Sequence, residues 1–195
     1  MLEQLELGRE FFERLEQEDQ AIARRVAEGG CPECGGPLYR ADYDRKPRGA
    51  LLAHDAEQFV RRCSLCCGQE GCRRRATPPS LRFLGRRVYV TAVVIVASMV
   101  ALAIKAASAI RSATGVPART TRRWLGWWQG PFVRTEVFVA AAARLVGLTV
   151  EALPTSLVTR LGKAPEERLR RMLDLLAPIT TTSVADSSRF LRASN

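Results

Sequence analysis

Apolar residues recur at helical spacing on both sides of a segment of about 50 residues rich in Gly, Pro, Cys and charge, which predicts a mainly α protein with a small β ribbon set into it. A third observation places a helical, helix-turn-helix-like region after the ribbon: the stretch TGVPARTTRRWLGWW, residues 114–128, carries the punctuation of two helices joined by a tight turn. With 195 residues, 47% of them hydrophobic, the chain can bury a core. The expected division is an amphipathic helix over 1–30, a ribbon over 31–80, the helix-turn-helix region over 81–130, a small helical region over 131–178 and a flexible tail over 179–195.

The first helix is expected over residues 2–28. Leu5, Phe12, Leu15, Ile22 and Val26 fall three, four or seven apart, and Gly29 with Gly30 ends the run. Glu10 and Arg14 stand four apart on its polar face, in the favourable order. Such a stripe either packs on its own domain or makes a short coiled-coil contact, so a homodimer through this helix is one expected assembly.

Between residues 31 and 80 periodicity is lost, and a segment with so few large apolar side chains needs a staple. Its six cysteines supply one. In CPECGG, Cys31 and Cys34 are two residues apart, Pro32 bends the chain, and Gly35 and Gly36 let backbone amides turn toward the sulfurs. About 30 residues on, CSLCCGQEGC offers two partner turns: Cys63 with Cys66, or Cys67 with Cys72. Gly68 and Gly71 favour the second. If residues 59–66 form one strand, Phe59, Arg61, Cys63 and Leu65 face one way and Val60, Arg62, Ser64 and Cys66 the other, which makes Cys67 the natural ligand at its end and Cys66 the close alternative. Four thiolates in two turns is the pattern of structural zinc, so Zn2+ is the expected cofactor. Cys63 and Cys66 then read as small buried hydrophobes. A redox CxxC lacks its βαβ context here, and His54, the single histidine, reads as a solvated side chain.

Val88 to Ile104 is a run of 17 residues without a charge. It carries Tyr89, Thr91, Ser98 and several alanines and falls short of the ~20 apolar residues of a membrane span, so a buried central helix is expected and a membrane anchor is the lesser alternative. In the turn that follows, Gly115 suits the left-handed end of one helix, Val116 a buried turn position and Pro117 the first residue of the next helix. On that helix Thr121, Trp124, Leu125 and Trp128 share one face. Arg119 and Arg123 point the opposite way, with Thr120 and Arg122 at the flanks. Pro131, Pro154, Pro165 and Pro178 cut the remainder into short helices, the clearest running from Glu166 to Leu176 with Leu169, Met172, Leu173 and Leu176 on one side.

Charge points to a partner. Residues 1–28 hold eight acids against four arginines, a net of −4 that leaves +14 for the rest of a chain whose total is +10. From Arg61 to Arg87 there are eight arginines and one acid, Glu70, and only three of the chain's 30 basic residues are lysines. A strong positive charge fits a nucleic acid, an anionic membrane surface or plain solubility, and arginine's planar fork, which pairs bidentately with phosphates and guanine edges, favours nucleic acid over solubility, although a GC-rich genome gives the same arginine bias. The expected partner is double-stranded DNA, with Arg73, Arg74 and Arg75 on the ribbon as phosphate contacts. A second helix that buries tryptophans and shows arginines from its N-terminal half suits the major groove. No basic region followed by a short apolar run stands near the N-terminus, so no secretory signal and a cytoplasmic location are expected.

The order CPECGG, RADYDRKPRG, CCGQEGCRRRATPPS, RFLGRRVYV and GVPARTTRRWLGWW resembles the zinc-ribbon and helix-turn-helix DNA-binding front end of bacterial insertion-sequence transposases and related stand-alone proteins, over residues 31–128. The resemblance implies Cys31, Cys34, Cys67 and Cys72 as zinc ligands, and Arg119, Thr120, Arg122 and Arg123 as the residues that meet DNA. It also implies a transposase or recombinase as a further partner. Pro117 stands where such proteins commonly carry a Ser cap, and Thr121 where Leu is common. Transposases cut DNA with three carboxylates on a sizeable α/β domain. After residue 128 the acids are Glu136, Glu151, Glu166, Glu167, Asp174 and Asp186, on a stretch too short for such a domain, so no catalysis by this chain alone is expected. The competing reading is a zinc-ribbon module that docks a protein partner.

Overall fold

Helix α1 spans Arg9–Glu28 in the computed structural model, which describes residues 8–44, 61–84, 89–104 and 106–180. The first helical residue is Arg9, not residue 2 as the spacing suggests: Gly8 is the extended N-cap, and residues 1–7 lie outside the described residues. Gly29 closes the helix, its amide donating to the Arg25 carbonyl at 3.2 Å. The buried stripe is Phe12, Leu15, Asp19 and Ala23. Phe12 and Leu15 enter the chain's main core, while Val26 and Ala27 pack on a second, smaller cluster.

That smaller cluster belongs to an antiparallel three-stranded sheet of β1 (Leu38–Arg40), β4 (Leu65–Cys67) and β5 (Arg75–Ala76), in the order β1-β4-β5. The register sets Leu38 opposite Cys67, Tyr39 opposite Cys66, and Cys66 in turn opposite Arg75. Two further strands, β2 (Tyr43–Asp44) and β3 (Arg61–Arg62), pair separately.

The single strand expected up to Cys66 is therefore two strands in different sheets; Phe59, Val60 and His54 lie outside the described residues. Asp42 supplies the physical reason. Its carboxylate takes the Ser64 amide at 3.0 Å in place of a backbone carbonyl and also holds Arg40 (2.8 Å) and Arg61 (3.6 Å), so the ladder is interrupted between β3 and β4. The basic run is likewise less regular than a continuous strand: Arg73 has φ +45°, and strand pairing begins at Arg75.

β6 (Phe83–Leu84) and β7 (Tyr89–Val90) pair antiparallel and lead directly into α2, Thr91–Ala103. The uncharged run thus opens as a strand, not as helix, and its helix has 13 residues. At 1.5 Å per residue that is about 20 Å, against about 30 Å of bilayer hydrocarbon. Among the described residues no helix is long and apolar enough to cross a membrane. Val93, Val94, Ile95, Ala97 and Ser98 of α2 are all buried, and Ser98 has a reason to be there: its hydroxyl accepts the Trp128 indole N–H at 3.1 Å.

α3 (Ala107–Thr114) ends at Gly115, whose φ of +65° is the left-handed conformation, and α4 spans Ala118–Gln129. Val116 is buried in the turn between them. Pro117 is the N-cap of α4 rather than its first helical residue, and its carbonyl accepts the Thr120 amide at 2.8 Å. Thr121 fits a buried position because its hydroxyl donates back to the Ala118 carbonyl at 2.9 Å. Trp128 meets Phe132 edge-to-face at 4.8 Å between ring centroids, and Phe132 meets Phe138 of α5 (Glu136–Ala142) at 5.3 Å.

After a short α6 (Thr155–Val158), α7 runs Pro165–Leu176 and buries Leu169, Met172, Leu173 and Leu176. It starts one residue before the expected Glu166 because Pro165 is itself at the helix's first position, where its missing N–H costs nothing. Residues 177–180 form a 3-10 turn, so the expected tail does not begin at 179; residues 181–195 lie outside the described residues. The main core joins α1, α2, α4, α5, α6 and α7 in one cluster.

A polar knot fastens α1 to the segment between the ribbon and α2. The Asp19 carboxylate, fully buried, accepts the Ser80 hydroxyl (2.6 Å), the Leu81 amide (2.7 Å) and the Arg82 Nε (3.0 Å). Arg82, 2% exposed, also donates to Glu16 at 3.2 Å and to the Arg61 carbonyl at 2.9 Å. Arg62 is buried beside it, donates to the Pro78 carbonyl at 2.6 Å, and has its pKa lowered by burial.

Candidate metal centre and basic surface

Two turns build the thiol cluster. In the first, the Gly35 amide donates to the Cys31 carbonyl at 2.7 Å and the Cys31 amide to the Gly36 carbonyl at 2.8 Å, curling Cys31 and Cys34 toward one point. In the second, which leaves the end of β4, the Cys72 amide donates to the Gln69 carbonyl at 3.1 Å and the Gln69 amide approaches the Cys67 sulfur at 3.4 Å. The turns are tied together by the Gly68 amide, which donates to the Pro37 carbonyl at 2.8 Å. Gly36 is needed where they meet: a Cβ there would stand 3.3 Å from the sulfurs of both Cys34 and Cys67 and 3.0 Å from the Gln69 Cβ.

The sulfurs of Cys31, Cys34, Cys67 and Cys72 all lie within 4.8 Å of one another. Cys31 and Cys72 are 3.8 Å apart, and Cys34 and Cys67 3.5 Å. A tetrahedron of sulfurs about 2.3 Å from a central ion has edges of about 3.8 Å, so the donor set fits a four-coordinate ion that prefers thiolate. All six described cysteines are free, and these separations far exceed the ~2.05 Å of a disulfide. The Cys31 thiol is drawn down to about 7, chiefly by the Glu33 backbone amide, which outweighs the opposing effect of burial and favours the thiolate at this one position, whereas Cys34 and Cys72 are shifted up. Burial holds Cys67 above its ordinary value.

Cys66 does not join the cluster. It faces the other side of β4, and its sulfur lies 3.6 Å from the Arg73 carbonyl. It is half-buried, not packed behind the site as a small hydrophobe. Cys63 is buried beside the strand break, with its thiol pKa pushed up by that burial.

Arg73, Arg74 and Arg75 follow the second turn directly and are exposed. Arg75 is nonetheless positioned: its guanidinium lies 5.5 Å from the Tyr43 ring centroid and reaches the Ser64 hydroxyl at 3.3 Å and the Ala41 carbonyl at 3.4 Å. On α4, Arg119, Arg122 and Arg123 are exposed and Thr120 half-buried, while Thr121, Trp124 and Trp128 are buried on the other side. The metal centre and α4 belong to different clusters, Cys31 and Cys67 to the small one and Trp124 and Trp128 to the main core. Sequence reasoning overlooked Tyr39, which is 62% exposed on β1 next to the centre; alternation around the buried Leu38 was the signal that could have found it.

Comparison with protein-family models, with curated proteins and with solved structures finds no match to this chain.

Proposed function

We propose that the chain is a zinc-containing protein that binds double-stranded DNA, with α4 reading bases in the major groove and the arginines after the second cysteine turn gripping phosphates. The observation that carries this reading is the two-sidedness of α4: three exposed arginines on its first two turns, over a face anchored by buried Trp124 and Trp128. The preceding α3, the left-handed Gly115 and the buried Val116 support it by giving α4 a short, fixed connection to the rest of the core. Cys31, Cys34, Cys67 and Cys72 would hold the zinc, which when bound supplies rigidity rather than chemistry. Strand cutting belongs to another chain in this reading. Glu167 is engaged with the Lys163 amide and Arg171, and Asp174 with Arg170, so these acids are occupied on the surface of α7.

Duplex binding should weaken steeply with salt. For about four phosphate contacts, affinity is expected to drop roughly 100-fold between about 50 and about 200 mM salt. Arg119→Ala with Arg123→Ala should relax the preference for one sequence over another, whereas Arg74→Ala should weaken all duplexes alike. A gel-shift series over this range that shows no binding to any duplex, including a random-sequence pool, would defeat the proposal.

A further inference from the structure

The sheet's outer face has a composition that phosphate binding alone does not need. Residues opposite one another across antiparallel strands point to the same side, so Tyr39, Cys66 and Arg75 form one row across β1, β4 and β5. The other side buries Leu38, Leu65 and Cys67 against α1 and the thiol cluster. The outer row carries no acid, and Arg73, whose carbonyl lies 3.6 Å from the Cys66 sulfur, leads into it from the metal turn.

Tyr39 is one of three large hydrophobic side chains exposed among the described residues, and it is not loose. Its ring is seated on Gly68: a Cβ at that position would fall 2.2 Å from the ring's Cε2 and 2.8 Å from its Cδ2. Gly68 is in turn fixed by its hydrogen bond to Pro37 and by its place next to Cys67. The metal centre thus holds an exposed aromatic face in a set position, with Arg73 and Arg74 exposed beside the turn and a second ring, Tyr43, under the Arg75 guanidinium. An exposed aromatic plane flanked by arginines is a stacking platform for an unpaired base whose phosphates meet the cations. In a closed duplex no base face is open to it.

We infer that the outer face of the β1-β4-β5 sheet binds a single DNA strand, one base stacking on Tyr39 and the adjoining phosphates meeting Arg73 and Arg74. This inference rests on the nucleic-acid reading above and adds a second form of DNA to it: the arginines that grip duplex phosphates also hold the phosphates of an opened strand, whose base Tyr39 alone receives. The two surfaces would suit DNA in which a duplex adjoins an opened strand.

The test measures fluorescence anisotropy of the full chain with a labelled oligo-dT strand and, separately, with a labelled duplex. Tyr39→Ala should weaken oligo-dT binding about 5- to 150-fold, the range seen when one stacking aromatic is removed. Tyr39→Phe should stay within about twofold of the parent, because the stacking plane is kept. Neither change should alter duplex binding, and Arg119→Ala with Arg123→Ala should leave oligo-dT binding intact. Metal content of Tyr39→Ala, measured in the same preparation, should equal that of the parent and so separates lost stacking from a damaged ribbon. Duplex binding with no oligo-dT binding, or oligo-dT binding indifferent to Tyr39→Ala, overturns the inference and leaves the proposed function standing. Binding to neither probe overturns both.

Discussion

Chelation of the metal is expected to dissolve the β1-β4-β5 sheet and leave the helical core folded. The sheet's own apolar cluster consists of Cys31, Leu38, Leu65 and Cys67, and two of these four are themselves candidate ligands. Each strand has only two or three residues, far too few to persist without a staple. Structural zinc in comparable small modules contributes an apparent ~10–16 kcal/mol at neutral pH, more than such a cluster can replace. The main core is independent of those ligands, drawing on Trp128, Phe132, Leu169, Met172 and Leu173 among others. Amide exchange separates the two. On chelation, the Cys67 and Gly68 amides, now bonded to the Arg74 and Pro37 carbonyls at 2.8 Å, should lose protection, while amides within α2 and α7 keep theirs. Persistent protection at Cys67 and Gly68 in metal-free protein would show that the sheet does not depend on the ion.

Asp19→Ala is expected to cost about 3–5 kcal/mol, the range for removing one partner of a buried ion pair. The loss is large because three donors converge on this carboxylate and because Arg82, 2% exposed, would keep its charge in the interior with its 3.0 Å contact to Asp19 gone. A second acid, Glu16, is at 3.2 Å and partly solvated. The knot joins α1, the Arg61 carbonyl at the edge of β3 and the start of β6, so its failure should be felt in both clusters. Chemical denaturation of the parent and of Asp19→Ala, read as a shift in midpoint, checks the figure; a difference below about 1 kcal/mol would mean that the buried pair is not the fastening described. By contrast, breaking the exposed Arg171–Glu167 pair should move the midpoint by less than about 0.5 kcal/mol.

The parts of the fold that sequence alone made legible are those governed by local chemistry. Gly35 and Gly36 after CPEC, and Gly68 and Gly71 around GQEG, announced two cysteine turns: Gly35 and Gly71 take positive φ, and Gly36 lies where a Cβ would stand 3.3 Å from two sulfurs. Gly115 and Pro117 marked the turn between α3 and α4 through their own backbone preferences, though the proline caps α4 instead of opening it. α7 was readable because Leu169, Met172, Leu173 and Leu176 repeat at helical spacing and Pro165 sits at its head.

What stayed hidden depends on distant partners. Asp19 sits in the middle of an apolar stripe, whose spacing places it on the buried face, but the partner that lets its charge be buried there, Arg82, is 63 positions away. Alternation pointed to Cys67 over Cys66, but through a continuous strand that Asp42 in fact interrupts from 22 residues upstream of Ser64. Ser98 looked like a flaw in an apolar run until Trp128 was placed against it. The exposed plane of Tyr39 required knowing that Gly68 lies beneath its ring.

The measurement that bears most directly on the account is zinc per chain, by elemental analysis, in the parent and in Cys66→Ser and Cys67→Ser variants prepared side by side. The four sulfurs brought within 4.8 Å include Cys67 and exclude Cys66. The account predicts about one zinc per chain in the parent and in Cys66→Ser, and strong depletion in Cys67→Ser. A parent without bound metal after metal-replete expression, or a Cys67→Ser variant that keeps its zinc while Cys66→Ser loses it, would contradict it.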